Sequence, residues 1–377
     1  IICCSPELFA KAGVQENLER FREIIRKNNL FAISTDFTKG YTVGKESQCP
    51  VCNSAGPFVS IEETNGYVML RCNNCALEFA QSMRETALYY ENLYYNATPA
   101  LTYMEKLTHQ DYLEKGRLLF KNKEWQPYNT ALSWLSENLK YGDTVLDLGC
   151  STGWFLATLE AGGFRPIGVD VSDRIVGLLK EKGFTVFRGP LENCPGKFCE
   201  PKAITMFEVL EHVHEPLSIL KEIAGRFPGA PLIASVPANS SWTVNLGIRS
   251  YCDYPPNHLT RWSEPNLKIA LASSGYKRIN LIYPKITASE IYGGILIWLT
   301  FKLGLRKKGY FGELESTSQL PDEKSLLNKL IRLWYPALNR INNILNFLFF
   351  PIAKVAAFVL NKIGFTSFSI IVIARNS

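Results

Sequence analysis

The sequence lacks any apolar run long enough to cross a membrane. Two apolar, helix-like runs carry no charged residue, Ile291–Phe301 and Ile341–Ala353. Both fall short of the roughly 20 apolar residues that a spanning helix needs. Residues 1–13 also lack the basic start and long apolar run of a secretory signal. We therefore expect a cytoplasmic globular protein, with peripheral membrane association at most.

A disulfide framework is also missing. The chain has ten cysteines, but six of them follow no regular spacing: Cys3, Cys4, Cys150, Cys194, Cys199 and Cys252. In a chain of 377 residues this distribution favours a reducing compartment over a secreted, disulfide-stabilised protein. Internal repeats and low-complexity tracts are absent as well, so we expect one large domain and one small one.

Most of the chain has no excess of one charge. The first 284 residues carry 29 Lys/Arg and 30 Asp/Glu, whereas the remainder carries 12 and 5. A neutral main body argues against nucleic acid as a partner. The basic remainder also holds the apolar runs, a combination that points to an anionic or lipidic surface.

Four cysteines do have a regular spacing, in two C-x-x-C pairs. Cys49 and Cys52 form the first pair, Cys72 and Cys75 the second, with 19 residues between the pairs. This spacing is typical of a zinc ribbon, in which four thiolates complete a closed tetrahedral site. We expect a structural zinc ion, because a site with four protein ligands has no open position for chemistry. Free thiols are the alternative.

From Asp143 onward, short β-branched runs alternate with helical runs. This alternation predicts a Rossmann-like α/β domain, a sheet of seven strands with helices on both faces. The last two strands are separated by about 80 mostly helical residues, which predict a helical insertion. The predicted organisation is an N-terminal helical extension (1–45), the zinc ribbon (46–80), a helical lead-in (81–140), the core (141–284), the helical insertion or lid (285–365) and the final core strand (366–377).

A glycine-bearing turn follows the first strand of this domain. Asp147 ends the strand, and Gly149 and Gly153 bracket a turn that opens a helix. Glycines there let backbone amides approach a ligand closely. Asp170 ends the second strand 23 residues later, where a carboxylate can accept both ribose hydroxyls. A dinucleotide-binding turn is one alternative, but its middle glycine would stand where this chain has Ser151. A plain strand–helix turn without a ligand is the other alternative.

These segments together resemble the class I S-adenosylmethionine-dependent methyltransferases. Asp147 to Gly153 resembles the first motif of that family, Gly168–Ser172 its ribose-binding segment, and Ser367–Arg375 its antiparallel seventh strand. The resemblance implies S-adenosylmethionine as cofactor. It implies cofactor contacts at Asp147, Gly149, Cys150, Gly153, Asp170, Val171 and Phe207.

The segment from Phe207 to Val213 resembles the subgroup that includes the ubiquinone-biosynthesis O-methyltransferases. Glu208, Glu211 and His212 lie in it, and a similar set in those relatives binds a metal that positions an acceptor hydroxyl. Three roles remain open here: the residues hold a divalent metal such as magnesium, His212 acts as a general base, or the set only orders the loop. His258, in a proline-rich segment after the fifth strand, is the third candidate base.

The combination of a zinc ribbon with such a domain resembles enzymes of polysaccharide, nucleotide-sugar or secondary-metabolite pathways. Together the resemblances imply O-methylation of a small molecule, such as a sugar, a nucleotide-sugar, a polysaccharide precursor or a phenolic or isoprenoid metabolite. The alternative is a catalytically degenerate methyltransferase fold that docks a partner through its zinc ribbon. In the insertion, apolar residues recur at helical spacing, which predicts a lid, a homodimer face, an acceptor tunnel or a membrane-surface helix. They are Leu338, Ile341, Leu345, Leu348, Ile352, Val355 and Val359.

Overall fold

The computed structural model describes residues 48–64, 66–81, 104–121, 126–191, 200–245, 249, 253–302 (side chains to 295), 350–362, 364 and 366–376. The predicted N-terminal extension lies outside these residues, and so does most of the helical insertion. The chain forms two compact units. The larger unit is built within Gly40–Asn239, Pro256–Pro284 and Ser369–Ser377, and the smaller one includes described parts of Ser240–Pro255 and Lys285–Phe368.

The described chain begins with three strands and two helices, and helices lie between most of the strands that follow. The strands are β1 (Phe58–Thr64), β2 (Tyr67–Cys72), β3 (Glu78–Ala80), β4 (Thr144–Leu148), β5 (Arg165–Asp170), β6 (Val186–Arg188), β7 (Ala203–Phe207), β8 (Leu232–Pro237), β9 (Thr260–Arg261), β10 (Arg278–Ile282) and β11 (Ser369–Arg375). The helices are α1 (His109–Lys121), α2 (Tyr128–Asn138), α3 (Trp154–Ala161), α4 (Asp173–Glu181), α5 (Pro216–Arg226), α6 (Trp242–Asn245), α7 (Glu264–Ser273), α8 (Ala288–Lys302) and α9 (350–362). A 3₁₀ helix spans Leu210–His212.

Seven strands of the larger unit form one sheet in the order β10-β11-β8-β7-β4-β5-β6. Strands β4 to β8 run parallel to one another, whereas β11 pairs antiparallel with both of its neighbours. The predicted seven-stranded Rossmann-like sheet with an antiparallel last strand is therefore confirmed. Every residue of β4 and β7 is buried, as expected for central parallel strands covered on both faces.

Helices pack on both faces of this sheet. Leu146 of β4 contacts a cluster that includes Leu220 of α5 and Leu271 of α7. Its neighbour Val145 belongs to a second cluster with Leu135 of α2 and Phe155 of α3. Because successive strand side chains point to opposite faces, the two clusters lie on opposite sides of the sheet.

The larger unit also contains a second, smaller sheet, the cysteine-bearing ribbon, in the order β1-β2-β3-β9. Its first three strands come from the predicted ribbon, but β9 comes from the segment that follows His258. The pairing joins Phe79 to Thr260 and Glu78 to Arg261. The ribbon therefore shares a sheet with a strand from the α/β domain, far along the chain. The sequence pattern did not predict this pairing.

The smaller unit contains α8 and α9. Ala353 and Ala357 of α9 lie buried with Trp242, Ile286 and Ile291. Three bulky residues of α9 that belong to the apolar stripe of the sequence are exposed: Ile352, Val355 and Val359. The other four residues of that stripe lie outside the described residues. Across the described chain, no helix combines the length and apolarity that crossing a membrane requires.

Candidate cofactor and acceptor site

The turn after β4 lies at the carboxyl end of the sheet and is built from left-handed backbone. Gly149, Ser151 and Gly153 have φ values of 73°, 45° and 76°. A Cβ on Gly149 would lie 2.5 Å from Val209 Cγ2, so a side chain is excluded at this position. The amides of Gly149 and Cys150 both donate to the Val169 carbonyl of β5 at 2.8 and 3.1 Å. The turn is therefore fixed against the neighbouring strand.

Asp170, at the end of β5, is held by this same turn. Its Oδ2 accepts from the Ser151 amide at 2.8 Å, and its Oδ1 accepts from the Ser172 amide at 3.0 Å. These two hydrogen bonds orient the carboxylate at the end of the strand, and a carboxylate can accept several hydrogen bonds, including those of ribose hydroxyls. The next residue, Val171, is 49% exposed beside it and presents an apolar surface of the kind on which a base can pack.

Asp147, at the end of β4, is a buried carboxyl group. Its Oδ1 accepts a 2.7 Å hydrogen bond from Thr205 Oγ1. Burial raises the Asp147 pKa to about 7, although the Thr205 hydroxyl lowers it and Asp170 raises it further. A cation bound nearby would favour the carboxylate. The position thus suits a ligand with an ammonium group and opposes a pyrophosphate.

Two other predicted cofactor residues are buried at the base of this turn. Burial raises the pKa of the Cys150 thiol well above its usual range, so the thiol is neutral. The Phe207 ring packs edge-on against Phe155 with centroids 4.8 Å apart and lies 5.1 Å from Tyr128. These side chains shape the base of the site from within the core.

Glu208 follows β7 in a left-handed conformation with φ of 53°. A non-glycine residue in this region costs about 1–3 kcal/mol, and the surrounding contacts must hold it there. Ser235 Oγ of β8 and Ser369 Oγ of β11 both donate to Glu208 Oε1, at 2.7 and 3.2 Å. Burial raises the Glu208 pKa, so the carboxyl group is protonated more readily than in water.

Glu211, His212 and His258 converge, and Glu208 does not belong to this group of potential metal ligands. The Nε2 atoms of His212 and His258 lie 3.8 and 3.9 Å from Glu211 Oε1. Together with that carboxylate oxygen, one nitrogen of each imidazole falls within a 4.8 Å cluster. Of the four predicted residues on the acceptor side, the structure brings together Glu211, His212 and His258 as potential metal ligands, and Glu208 lies outside that group.

The tautomer of His212 follows from its backbone partner. His212 Nδ1 lies 2.6 Å from the Asn257 carbonyl, which can only accept, so Nδ1 carries the proton and Nε2 has the lone pair. Burial, together with nearby His258, lowers the His212 pKa well below 6.5. The ring is therefore neutral at pH 7, the form that acts as a base or as a metal ligand.

The four ribbon cysteines form a second group of potential metal ligands. Cys49 Sγ lies 3.5 Å from Cys75 Sγ, and Cys52 Sγ lies 3.5 Å from Cys72 Sγ. These separations exclude disulfides, whose sulfur atoms lie about 2 Å apart. Thiolates at about 2.3 Å from a tetrahedral zinc ion lie about 3.8 Å from each other, close to the observed spacing. Residues 53 and 76, one past each pair, have matching left-handed φ values of 56° and 59°.

Several residues that position the site were missed in the sequence. Ser172 could have been found, because its side chain accepts from the Ile175 amide as the N-cap of α4. The remaining ones lie on strands or in a loop distant in sequence from their partners, and no local pattern marks them: Thr205, Ser235, Asn257 and Ser369.

Comparisons with known proteins agree with the motifs. Residues 121–281 match the family model for the methyltransferase domain. A ubiquinone biosynthesis O-methyltransferase of Dechloromonas aromatica (strain RCB) is 28% identical over 146 residues, covering 34% of this chain and 59% of that protein. A ribosomal protein L11 methyltransferase of Nitrosomonas europaea is 29% identical over 110 residues, covering 29% and 31%. The chain thus spans less than two thirds of either relative.

Among solved structures, an S-adenosylmethionine-dependent methyltransferase from Archaeoglobus fulgidus is similar at 18% identity. The match covers 68% of this chain and 98% of that one, with a TM-score of 0.38. The sequence resemblance to methyltransferases is confirmed by the family match over residues 121–281.

Proposed function

We propose that this chain, which carries a methyltransferase domain over residues 121–281, transfers a methyl group from S-adenosylmethionine to a small molecule. The observation that carries the proposal is the pair of strand-end carboxylates around one glycine turn. Asp147 is buried where a cation would favour its ionised form, and the Asp170 carboxylate is oriented by the Ser151 and Ser172 amides at the end of the next strand. A single ligand that carries both an ammonium group and a ribose, as S-adenosylmethionine does, would suit both carboxylates.

Bound S-adenosylmethionine would supply an electrophilic methyl group on a sulfonium centre. The protein has three tasks in such a reaction: it binds the cofactor, orients the acceptor and removes a proton. Asp147 would bind the ammonium group and Asp170 the ribose hydroxyls. Cys150 and Phe207 would form the base of the pocket, and Val171 would contact the nucleobase.

Glu211, His212 and His258 are proposed to act on the acceptor, because they follow β7 and β8 at the same edge of the sheet. Two alternatives stay open: His212 takes the acceptor proton as a base, or the three side chains hold a divalent metal that lowers the hydroxyl pKa. Two imidazoles and one carboxylate fit zinc, manganese or iron better than magnesium, which prefers oxygen ligands. Magnesium is therefore not the metal that we propose.

The acceptor class is proposed from the resemblance to the ubiquinone biosynthesis O-methyltransferase. We propose O-methylation of a sugar, a nucleotide-sugar, a polysaccharide precursor or a phenolic or isoprenoid metabolite. The ribbon cysteines are proposed to bind one structural zinc ion. A degenerate binding module is the weaker alternative, because such a module has no need for the buried Asp147 or the strained Glu208.

Membrane association through the C-terminal segment is a further part of the proposal. Ile352, Val355 and Phe358 of α9 are each more than 60% exposed, and Lys354 is exposed beside them. Apolar side chains with adjacent lysines suit an anionic membrane surface. Binding to anionic vesicles that Val355→Asp abolishes would support this; a monomer–dimer change in the variant would point to a homodimer face instead.

The proposed activity is tested by incubating the protein with methyl-labelled S-adenosylmethionine and panels of sugars, nucleotide-sugars and phenols. We expect labelled acceptor and S-adenosylhomocysteine in equal amounts, with oxygen as the methylated atom. Binding of NAD in place of S-adenosylmethionine would contradict the cofactor assignment. Cofactor binding without turnover on any acceptor class would favour the binding-module alternative.

A further inference from the structure

We propose that the zinc ribbon is a positioning module for the acceptor side of the site, holding His258 beside Glu211 and His212 through β3, Leu259 and Arg261. The inference rests on the proposed acceptor role of these histidines. A Cys4 zinc site has no open position and no chemistry of its own. The ribbon would therefore contribute to the reaction only through its contacts with the segment that carries His258.

The first connection is a backbone bridge through Leu259, the residue after His258. The Leu259 amide donates to the Glu211 carbonyl at 2.8 Å, and its carbonyl accepts from the Ala80 amide at 2.8 Å. Leu259 is fully buried and packs with Met69 and Ala80 of the ribbon. One residue thus joins the end of β3 directly to the 3₁₀ helix that carries Glu211 and His212.

The second connection is a buried ion-pair network around Arg261. Arg261 Nη1 lies 3.3 Å from Glu78 Oε2, and Arg261 Nη2 lies 3.1 Å from Glu62 Oε2. The Arg261 and Glu78 side chains are only 4% and 3% exposed. Arg71 Nη2 also donates to Glu78 Oε1 at 2.7 Å. Because a buried charge is costly to separate from its partners, this network fixes β9 on the ribbon three residues after His258.

The third connection runs from the cysteines to the same hairpin. Cys72 ends β2, and its amide donates to the Leu77 carbonyl at 2.9 Å, one residue before Glu78. The Cys72 carbonyl accepts from the Ala76 amide at 2.9 Å. The turn that carries Cys72 and Cys75 therefore sets the register of β2 and β3. A continuous series of contacts leads from the thiolates to β3, to β9 and to His258.

The other side of this segment is held independently of the ribbon. The Asn257 carbonyl binds His212 Nδ1, and Thr260 Oγ1 donates to the Leu210 carbonyl at 3.3 Å. Residues 257–260 therefore contact both the ribbon and the 3₁₀ helix. Loosening the ribbon should displace His258 and disturb His212, while the turn that holds Asp147 and Asp170 has no part in these contacts.

The chain has only four histidines, which permits a direct test: His109, His212, His214 and His258. The full-length zinc-bound protein is labelled with ¹³C and ¹⁵N in its histidine rings, and the signals are assigned with single His→Gln variants. His109 is an internal reference, because it binds the Lys182 carbonyl and Glu160 and has no contact with the ribbon among those described. The variants are Glu78→Gln, Arg261→Lys and Cys72→Ser, with Glu264→Gln as the control, since Glu264 forms an exposed pair with Lys268.

We expect the His258 and His212 ring signals to shift or broaden in all three variants and on zinc removal, with His109 and the Glu264→Gln protein unchanged. Affinity for S-adenosylhomocysteine should stay at the parent value. If His258 and His212 keep their parent signals while the ribbon loses its zinc, the proposal is wrong.

Two further outcomes are separated by the design. If Glu78→Gln unfolds and all four histidine signals collapse, the test rests on Arg261→Lys. Lysine keeps the positive charge but lacks the two-pronged guanidinium geometry, so this variant weakens the ion-pair network without leaving Glu78 uncompensated. If the parent protein binds no S-adenosylhomocysteine, the proposed function fails, and the histidine signals still report whether the ribbon positions His258.

Discussion

At the scale of single residues, the site depends on carboxyl groups whose ionisation is set by burial. Asp147 is the clearest case, because its pKa of about 7 lies inside the working range of most enzymes. Asp170, by contrast, has both oxygens fixed by backbone amides. In the proposed function the two strand-end acids therefore have different roles: Asp147 would respond to the charge of the ligand, and Asp170 would offer acceptors in a fixed orientation.

The first prediction follows from the Asp147 pKa. Below about pH 7 the group is protonated in the ligand-free protein, so a cationic ligand must first displace that proton. Affinity for S-adenosylhomocysteine should rise as pH increases through 7, with proton release on binding near neutral pH. Thr205→Val should move this transition to higher pH, because the Thr205 hydroxyl lowers the pKa. Calorimetry in buffers of different ionisation enthalpy measures both effects; a pH-independent affinity would remove Asp147 from the ammonium site.

The second prediction separates the two roles of His212. If it is the base, the rate should rise with pH through a transition well below 6.5, lower than the unperturbed imidazole value that the sequence alone would predict. Chelators should then have no effect. If the three side chains hold a metal, a chelator should abolish turnover and zinc, manganese or iron should restore it. Single alanine changes at Glu211, His212 and His258 should then be non-additive.

At the scale of elements, the parallel strands and crossover helices could be predicted from the sequence, but the ribbon's fourth strand could not. Helix α3 begins where the sequence predicts a helix, directly after the turn that ends at Gly153. Strand β9 has two residues and exists through pairing with β3, some 180 residues earlier. Whether so short a segment forms a strand depends on tertiary contacts of this kind, and these contacts leave no local sequence pattern. His258 was recognised as a candidate, but its place beside Glu211 depends on that pairing.

The third prediction concerns the turn between β4 and α3. Gly149→Ala should destabilise the protein by about 1–3 kcal/mol, because its Cβ would overlap Val209 Cγ2 in a left-handed backbone. Gly177→Ala is the matched control: it lies in α4 with open space around its Cβ, and should stabilise by up to about 1 kcal/mol. Urea unfolding measures both. Adding Val209→Ala should recover part of the Gly149→Ala loss, and no recovery would mean that the overlap is not the cause.

At the scale of the whole molecule, the larger unit combines two sheets with different roles. The seven-stranded sheet presents the carboxylates, and the ribbon sheet reaches the segment of His258. The domain limits taken from the sequence stay a prediction. The described contacts also divide the chain at residue 285, but they assign Ser240–Pro255 to the smaller unit, which the predicted limits do not. Sequence patterns identify contiguous segments, whereas compact units assemble from segments that are distant along the chain.

The fourth prediction concerns the metal content of the ribbon. The purified protein should carry one zinc ion per chain bound by Cys49, Cys52, Cys72 and Cys75. Removing it should unfold residues 46–80, because metal binding and ribbon folding are coupled, and should leave cofactor binding largely intact. Elemental analysis in reducing buffer and hydrogen exchange measure these changes. A metal-free protein with a fully protected ribbon would contradict the assignment.

The measurement that tests the central claim most directly is calorimetric titration of S-adenosylhomocysteine into the parent protein and Asp170→Ala. Asp111→Asn is the control, since Asp111 is partly exposed on α1 and its carboxylate accepts from Thr108 of the same segment. The account predicts one binding site per chain and the parent affinity in the control. In Asp170→Ala the binding free energy should fall by at least about 1.5–3 kcal/mol, the contribution of hydrogen bonds to a charged group. Equal affinity in Asp170→Ala and the parent, or no binding by the parent, would contradict the account.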